Sequence, residues 1–304
     1  MNALTTAQHP FERRQILRTA GLLLTAALGG CSLLGEDVYD STDAPDERPT
    51  GLTYPLAWVL SSGGPRGFVH VGVLKALDEL GCKPDLVVGS SVGALVGCLY
   101  AAGLGIRGLE TLALQASVTN FIQPTIAGDQ WLSMAGVGRM VNALVNNQPL
   151  QRLPTPFIAV AINKESRQPR AFNWGNAGGA VQAACAVEGQ IASVKIRGQH
   201  YADSDFVTPM PVRIARSMGA LRVLAIDASA HEDKAPAGTE RFRAGDLRKR
   251  ALTAPEAQLA DLTLHPEFGY YTNISTEYRV RCIRAGYEQT LAQASAVQAL
   301  HRRS

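Results

Sequence analysis

The chain has 304 residues, of which 46% are hydrophobic and 18% are charged, and this composition is typical of a globular protein with a sizeable core. The formal net charge is only +3, and residues 1–30 contribute three arginines against one glutamate. The nearly neutral remainder lacks the basic surface that nucleic-acid binding requires, so this class of function is excluded.

The first segment of the chain has the pattern of a bacterial export signal. Arg13, Arg14 and Arg18 precede an uncharged apolar run over residues 19–30. This run is much shorter than the roughly 20 residues that a membrane-spanning helix needs. The paired arginines also resemble a twin-arginine export signal. We therefore predict a cleaved signal peptide over residues 1–30.

The apolar run ends in Leu-Gly-Gly-Cys at residues 28–31, which resembles the lipobox of bacterial lipoproteins. In such proteins the signal is cut before the cysteine, and the cysteine receives the lipid. The resemblance therefore implies a lipid anchor on Cys31. With Ser32 in the next position, it also implies retention at the outer membrane, facing the periplasm.

Residues 31–53 have the composition of a flexible tether. Six carboxylates lie from Glu36 to Glu47, prolines lie nearby at positions 45 and 49, and large apolar residues are few. Such a segment cannot bury enough apolar surface to fold by itself. We predict that it connects the anchor to a domain formed by residues 54–304.

From residue 54 onward, short apolar runs alternate with segments in which apolar residues recur at helical spacing. Buried strands are predicted at residues 56–60, 86–88, 157–161 and 221–226, and helices at residues 69–80, 94–100 and 277–301. Residues 231–250 are polar and charged and are predicted to form a loop. This alternation predicts an α/β fold with helices on both faces of a mostly parallel sheet.

The cysteines other than Cys31 show neither the spacing of a disulfide framework nor that of a metal site. We predict that they are unpaired thiols in the core. They are Cys82, Cys98, Cys185 and Cys282.

Residues 89–93 read Gly-Ser-Ser-Val-Gly and lie between a predicted strand and a predicted helix. A serine hydroxyl is a poor nucleophile at neutral pH and needs a base and donors for the oxyanion that forms. Gly89 and Gly93 allow a tight turn that exposes the serine at the end of the strand. The positive end of the following helix faces the same point. We predict that Ser91 is the nucleophile of a hydrolase.

A second glycine-rich turn, Gly-Gly-Pro-Arg-Gly at residues 63–67, also lies between a strand and a helix. Its backbone N–H groups can converge on an anion, but Pro65 has no N–H to donate. The donors are therefore expected at Gly64, Arg66 and Gly67. No Gly-Lys-Ser or Gly-Lys-Thr follows this turn, and the turn itself is not a Gly-x-Gly-x-x-Gly motif, which disfavours nucleotide binding there.

Three blocks of sequence, in this order, resemble the patatin-like phospholipases. Residues 60–74 resemble the oxyanion block of that family, residues 88–95 its nucleophile elbow, and residues 203–212 its catalytic-aspartate block. The similarity covers roughly residues 54–295. It implies a three-layer α/β/α fold and an acyl hydrolase of phospholipase A or lysophospholipase type.

The resemblance also implies a Ser–Asp dyad and membrane lipids as substrates, with no metal or other cofactor. Ser91 would attack the ester carbonyl, and Asp203 would accept its proton and later activate water. The oxyanion hole would be formed by the loop residues Gly63, Gly64, Arg66 and Gly67.

Several positions depart from the family pattern. Ser62 and Ser204 stand where glycines are usual, and Glu188 stands where a proline is usual. If residue 62 needs a positive φ, serine costs about 1–2 kcal/mol there. Asp205 is either a solvent-facing carboxylate, which is the interpretation we favour, or a charge that raises the pKa of Asp203.

Two other functions fit parts of the sequence. An α/β-hydrolase with a Ser-His-Asp triad would need His231 or His265, both of which we expect at the surface. An inactive lipid-binding or scaffolding lipoprotein is the other alternative, which the presence of Ser91 and Asp203 disfavours. The basic residues between Arg241 and Arg250 are expected in a solvated loop rather than on lipid headgroups.

Overall fold

A computed structural model of the chain describes residues 37–302, so the predicted signal peptide and Cys31 lie outside the described residues. The strands are β1 (Val38–Tyr39), β2 (Tyr54–Leu60), β3 (Leu86–Ser90), β4 (Gln123–Pro124), β5 (Leu132–Ser133), β6 (Phe157–Asn163), β7 (Pro169–Phe172), β8 (Val194–Ile196), β9 (Gln199–Asp203), β10 (Ala220–Ile226) and β11 (Leu262–Leu264). The helices are α1 (Phe68–Glu79), α2 (Val92–Ala101), α3 (Gly105–Gln115), α4 (Val118–Phe121), α5 (Ala135–Leu144), α6 (Ala177–Ala184), α7 (Val212–Ser217), α8 (Glu240–Leu259), α9 (Thr276–Leu291) and α10 (Ala294–Arg302). Within this range, none of the helices has both the length and the apolar character needed to span a bilayer.

Nine of the strands form one sheet in the order β1-β8-β9-β6-β3-β2-β10-β11, with β7 also paired to β6. The strands from β6 to β11 in this order run parallel, while β9 is antiparallel to both β6 and β8. The central strands are almost wholly buried, as their apolar sequences require for a parallel sheet covered on both faces. The predicted α/β fold with a largely parallel sheet is confirmed.

Successive residues of β2 belong to different layers of the core, because side chains alternate across a strand. Leu56, Trp58 and Leu60 pack with apolar residues of α1, α2 and α6 on one face of the sheet. Ala57 and Val59 pack with α7 on the other face. The sheet therefore lies between two helical layers.

Helix α1 is held by backbone contact with α9. A Cβ atom at Gly72 would lie 1.9 Å from the carbonyl oxygen of Ile283, and one at Gly286 would lie 2.4 Å from that of Val69. Only glycine permits this approach, since real Cβ contacts are never so short. The contact fixes the helix that follows the glycine-rich turn at residues 63–67.

The prediction of a flexible tether is wrong for residues 37–48, which are packed against the domain. Strand β1 pairs with β8, Ala44 is fully buried, and Tyr39 donates a hydrogen bond to Gln182 at 2.7 Å. The carboxylates form specific contacts, such as that of Asp46 with Arg170 at 3.1 Å. Composition indicates that such a segment cannot fold alone, but it does not reveal the partners that the domain supplies.

The prediction of a loop over residues 231–250 is also wrong, because α8 begins at Glu240. This helix is largely polar, so it lacks the apolar periodicity on which the sequence assignment relied. It is attached through Glu256, which is 8% exposed and accepts hydrogen bonds from the backbone and side chain of Arg213 at 2.7 and 3.1 Å. The other predicted strands and helices are present, and the four core cysteines are buried and unpaired, as predicted.

Candidate active site

Ser91 lies in a strained turn between β3 and α2. Its φ is 53° and its ψ is −127°, a conformation that costs a non-glycine residue about 1–3 kcal/mol. The turn closes because a Cβ at Gly93 would lie 2.2 Å from the carbonyl oxygen of Leu60, so only glycine fits against β2. A Cβ at Gly89 would lie 2.4 Å from the Gly93 carbonyl oxygen. These contacts hold the serine at the N-terminus of α2, as the motif predicted.

Asp203, the last residue of β9, lies beside Ser91. It is 1% exposed, and its Oδ1 accepts the backbone N–H of Asp205 at 2.9 Å. Its Oδ2 is buried and accepts no hydrogen bond of ordinary length from the residues described, which leaves it free to receive a proton. The structure thus brings together the two side chains that the sequence singled out.

The pKa of Asp203 is raised to about 7. Burial is the main cause, because it disfavours the charged form, and the negative charge of Asp205 adds to it. Hydrogen bonding from the Ser91 hydroxyl and from the Asp205 N–H, together with the charge of Lys249, opposes the rise. The buried Cys185 thiol also interacts electrostatically with Asp203. A carboxyl with this pKa is poised to exchange a proton near neutral pH.

The glycine-rich turn packs directly against the residue after Ser91. A Cβ at Gly67 would lie 2.3 Å from a methyl carbon of Val92. Gly64, Pro65 and Gly67 line the same cavity as Ser91. The turn therefore lies where an oxyanion formed at Ser91 would need hydrogen-bond donors.

The backbone N–H groups of this turn that were predicted to bind an oxyanion are not all available, because one already forms a hydrogen bond within the turn. The N–H of Arg66 donates to the Gly63 carbonyl at 3.1 Å, so this pair closes the turn. Gly64 begins the 3₁₀ turn, where N–H groups have no partner within the helix, and its φ of 52° suits glycine. Arg66 uses its side chain to hold the backbone of residues 269–270. Of Gly64 and Arg66, Gly64 is therefore the one whose backbone N–H remains available to an oxyanion.

Ser62 carries no backbone strain, because the non-glycine residues of the described chain that have a positive φ do not include it. Its N–H donates to Pro209 at 2.8 Å, and its hydroxyl donates to the carboxylate of Asp205. Lys249 of α8 lies 2.5 Å from the Ser62 hydroxyl and forms an ion pair with Asp205. The Asp205 side chain is 29% exposed, but it is held by Ser62 and Lys249 rather than simply facing solvent. The alternative, a charge that raises the Asp203 pKa, is supported.

Ser204 and Glu188, the other two departures from the family pattern, also form hydrogen bonds in the structure. The hydroxyl of Ser204 lies 2.8 Å from that of Ser90 and donates to the Val160 carbonyl at 3.1 Å. It thereby joins the aspartate loop to the strand that carries the nucleophile. Glu188 forms a two-oxygen contact with Arg167 at 2.7 and 2.9 Å on the surface. Neither substitution disturbs the site.

An apolar cavity of about 260 Å³ extends from Ser91 between the helices. Arg279 lies at its wall, but its guanidinium donates to the carbonyls of Ala113 and Ala116 at 3.0 and 2.7 Å. Apolar side chains make up most of the lining, among them Phe68, Val71, Leu95, Leu99, Leu109, Leu112, Phe121, Ile122, Met134 and Val137. Such a cavity suits a hydrocarbon chain.

Cys185 and Lys249 are site residues that sequence reasoning missed. Cys185 donates from its thiol to the Ser91 carbonyl at 3.2 Å, and Lys249 pairs with Asp205. Lys249 lies in the segment assigned to a loop, and Cys185 has no distinguishing motif. Their roles depend on tertiary contacts that local patterns do not contain.

Neither His231 nor His265 makes a hydrogen bond to Ser91 among the contacts described. Their rings stack at 3.7 Å, and their Nε2 atoms lie 3.2 and 3.1 Å from the carbonyls of His265 and Ser229. His70 is fully buried beside Ser61, and burial lowers its pKa to about 4, so its ring is neutral. The geometry therefore supports a dyad over a histidine triad.

Known proteins resemble this chain in both sequence and fold. The sequence model of the patatin-like phospholipase family matches residues 58–216. An uncharacterized NTE family protein of Mycobacterium tuberculosis is 30% identical over 192 residues, which are 61% of this chain and 52% of that protein. Human patatin-like phospholipase domain-containing protein 6 is also 30% identical over 192 residues, which are 60% of this chain and 14% of that protein.

The fold is also similar to that of VipD from Legionella pneumophila, with a TM-score of 0.50 at 13% identity. The alignment covers 86% of this chain and 71% of VipD. The chain spans about half the length of its mycobacterial relative and a small part of the human protein. The family match includes Ser91, Asp203 and the glycine-rich turn and covers more than half of the sequence. The chain therefore belongs to the patatin-like phospholipase family.

Proposed function

We propose that the protein is a serine lipid acyl hydrolase of phospholipase A or lysophospholipase type. One observation carries this proposal: Ser91 lies between a buried carboxyl with a pKa of about 7 and an apolar cavity. The carboxyl supplies a base, and the cavity supplies a place for an acyl chain.

The first half of the reaction transfers the acyl group to Ser91. The serine oxygen attacks the ester carbonyl carbon while its proton passes to Asp203. The N–H of Gly64 and the positive end of α2 stabilise the oxyanion that forms. When the tetrahedral intermediate collapses, the ester C–O bond breaks and the departing alcohol takes the proton from Asp203.

The second half releases the acyl group to water. Asp203, again ionised, accepts a proton from a water molecule as this attacks the acyl-serine carbonyl. Collapse of the second intermediate returns that proton to the serine oxygen and frees a fatty acid. One aspartate thus serves both halves, so the cycle needs no histidine.

The cavity supports a lipid ester as the substrate. Its walls are almost entirely apolar, and the Nη1 atom of Arg279 donates to the backbone carbonyls of Ala113 and Ala116, so a hydrocarbon chain meets a mostly apolar lining. The names of the relatives, which refer to the NTE family and to phospholipase domains, agree with this class of substrate.

We further propose that Cys31 carries a lipid that anchors the protein to the outer membrane, facing the periplasm. The support is the lipobox-like sequence at residues 28–31 and the serine that follows it. A lipid anchor would hold the enzyme beside a surface made of its substrate.

Replacement of Ser91 by alanine is expected to abolish labelling by a fluorophosphonate probe and to reduce ester hydrolysis at least about a thousandfold. Asp203→Asn should reduce hydrolysis to a similar extent, because asparagine cannot accept the proton. The controls His231→Ala and His265→Ala should keep wild-type labelling and activity. Labelling that persists in the Ser91→Ala variant would contradict the proposal.

The rate constant kcat/KM should rise with pH and level off above about pH 7, because Asp203 acts only when ionised. Lys249→Met should shift this midpoint to higher pH, since it removes the cation that lowers the Asp203 pKa, and Asp205→Asn should shift it to lower pH. Arg250→Met is the matched control, because Arg250 is the next residue on α8 but lies near Glu232 instead. A midpoint that does not move in Lys249→Met would disprove the electrostatic role of Lys249.

Bacteria that express the full chain and are fed an alkyne-tagged fatty acid should incorporate the tag into the protein, and Cys31→Ser should abolish incorporation. The control Cys82→Ala removes a buried, unpaired thiol and should leave incorporation unchanged. In-gel fluorescence after coupling a dye to the alkyne measures the result. A tagged Cys31→Ser protein would argue against the anchor.

A further inference from the structure

The hairpin formed by β4 and β5 exposes large apolar side chains. Trp131 is 78% exposed, Ile126 is 67% exposed, and Leu132 is 41% exposed. Exposed apolar side chains that lie together on one short element are typical of an interaction surface rather than of a solvated loop.

The hairpin is held firmly, so this exposure does not reflect a loose segment. Thr125 donates its N–H to the Trp131 carbonyl at 3.0 Å and its hydroxyl to Ala127 at 3.0 Å. Asp129 accepts the N–H of Ser193 at 2.9 Å and forms an ion pair with Lys164. The backbone therefore presents Trp131 to solvent in a fixed position.

Both ends of the hairpin continue into the wall of the apolar cavity beside Ser91. Ile122, immediately before β4, and Met134, immediately after β5, line the cavity together with Ser91. A surface to which the hairpin attaches would consequently lie next to the walls that receive the substrate chain.

The hairpin also contacts the start of the described chain. Ser133 donates its hydroxyl to the carboxylate of Asp37, the first residue that the structure describes. The preceding residue, Leu132, is held by the N–H of Ala192, which donates to its carbonyl at 2.7 Å. Five residues separate Asp37 from Cys31. At 3.3–3.6 Å per residue, these can span no more than about 20 Å. A lipid on Cys31 would hold the hairpin within that distance of the membrane.

We propose that the β4–β5 hairpin inserts Trp131 and Ile126 into the lipid bilayer to which Cys31 is anchored. This inference rests on the proposed lipid anchor and deepens the proposed function, because it places the acyl cavity at the membrane surface. Tryptophan prefers the interface between headgroups and acyl chains, where its ring is apolar and its N–H remains hydrated. The exposed Arg139, which donates to Gln123 of β4, is available to lipid phosphates.

Fluorescence quenching tests the insertion directly. The lipidated full chain carrying Ser91→Ala, which prevents hydrolysis, is reconstituted on vesicles of phosphatidylethanolamine and phosphatidylglycerol with brominated acyl chains. Bromine should quench the tryptophan emission, and the further change Trp131→Phe should remove most of this quenching. Trp58 is fully buried and Trp174 stacks on Arg48, so neither should respond strongly.

Kinetics supply a second measurement in the chain with an intact Ser91. The variant Ile126→Ser/Trp131→Ser should hydrolyse vesicle phospholipid at least about tenfold more slowly, which corresponds to about 1.4 kcal/mol, and a soluble short-chain ester at the parental rate. Leu221→Ser is the matched control, because Leu221 is 60% exposed but lies at the start of β10. It should alter neither rate.

Each possible outcome of these two experiments supports or overturns the proposed insertion. Equal quenching with and without Trp131, or equal vesicle rates in the double variant and the parent, overturns the insertion. A parent that is unquenched but self-associates through the hairpin, as shown by sedimentation, also overturns it and identifies a second copy as the partner. Quenching by Trp131, together with no hydrolysis of either ester by the chain with an intact Ser91, supports the membrane surface and overturns the proposed function instead.

Discussion

Asp203 is almost completely removed from solvent beside the Ser91 hydroxyl, and burial of a carboxylate raises the free energy of its charged form. The N–H of Asp205 and the charge of Lys249 compensate for only part of this effect, so the pKa settles near 7. A carboxyl with this pKa is suited to accept the Ser91 proton directly, as the proposed mechanism requires. Ser62 and α8 matter because they determine where the compensating charges lie.

The proposed proton transfer from Ser91 to Asp203 requires a backbone that holds the two side chains in fixed positions. The positive φ of Ser91 persists because glycines on either side allow β2, β3 and α2 to touch. The turn at residues 63–67 is fixed at its other end by α1, whose backbone contacts that of α9 through Gly72. Catalytic geometry thus depends on close contacts made by glycines far apart in the sequence.

The sequence alone predicted those elements that short-range residue patterns encode. The strand, turn and helix around Ser91 follow from short-range patterns, whereas Asp203 was recognised only through the family resemblance. The role of Lys249 was not predicted because α8 is largely polar and lacks apolar periodicity. The packing of residues 37–48 was not predicted because composition does not reveal partners such as Gln182. The apolar cavity beside Ser91 could not be predicted, since its walls come from helices that meet only in the folded chain.

The central claim is that the acyl group passes through a covalent ester on Ser91. Its most direct test is mass spectrometry of the Ser91 peptide after turnover of a lipid ester is stopped with acid within milliseconds to seconds. The account predicts an added mass of one acyl group on Ser91 in the wild-type protein and none in Asp203→Asn at the same time. Acylation of the neighbouring Cys185 instead, or turnover without any adduct on Ser91 at any time, would contradict it.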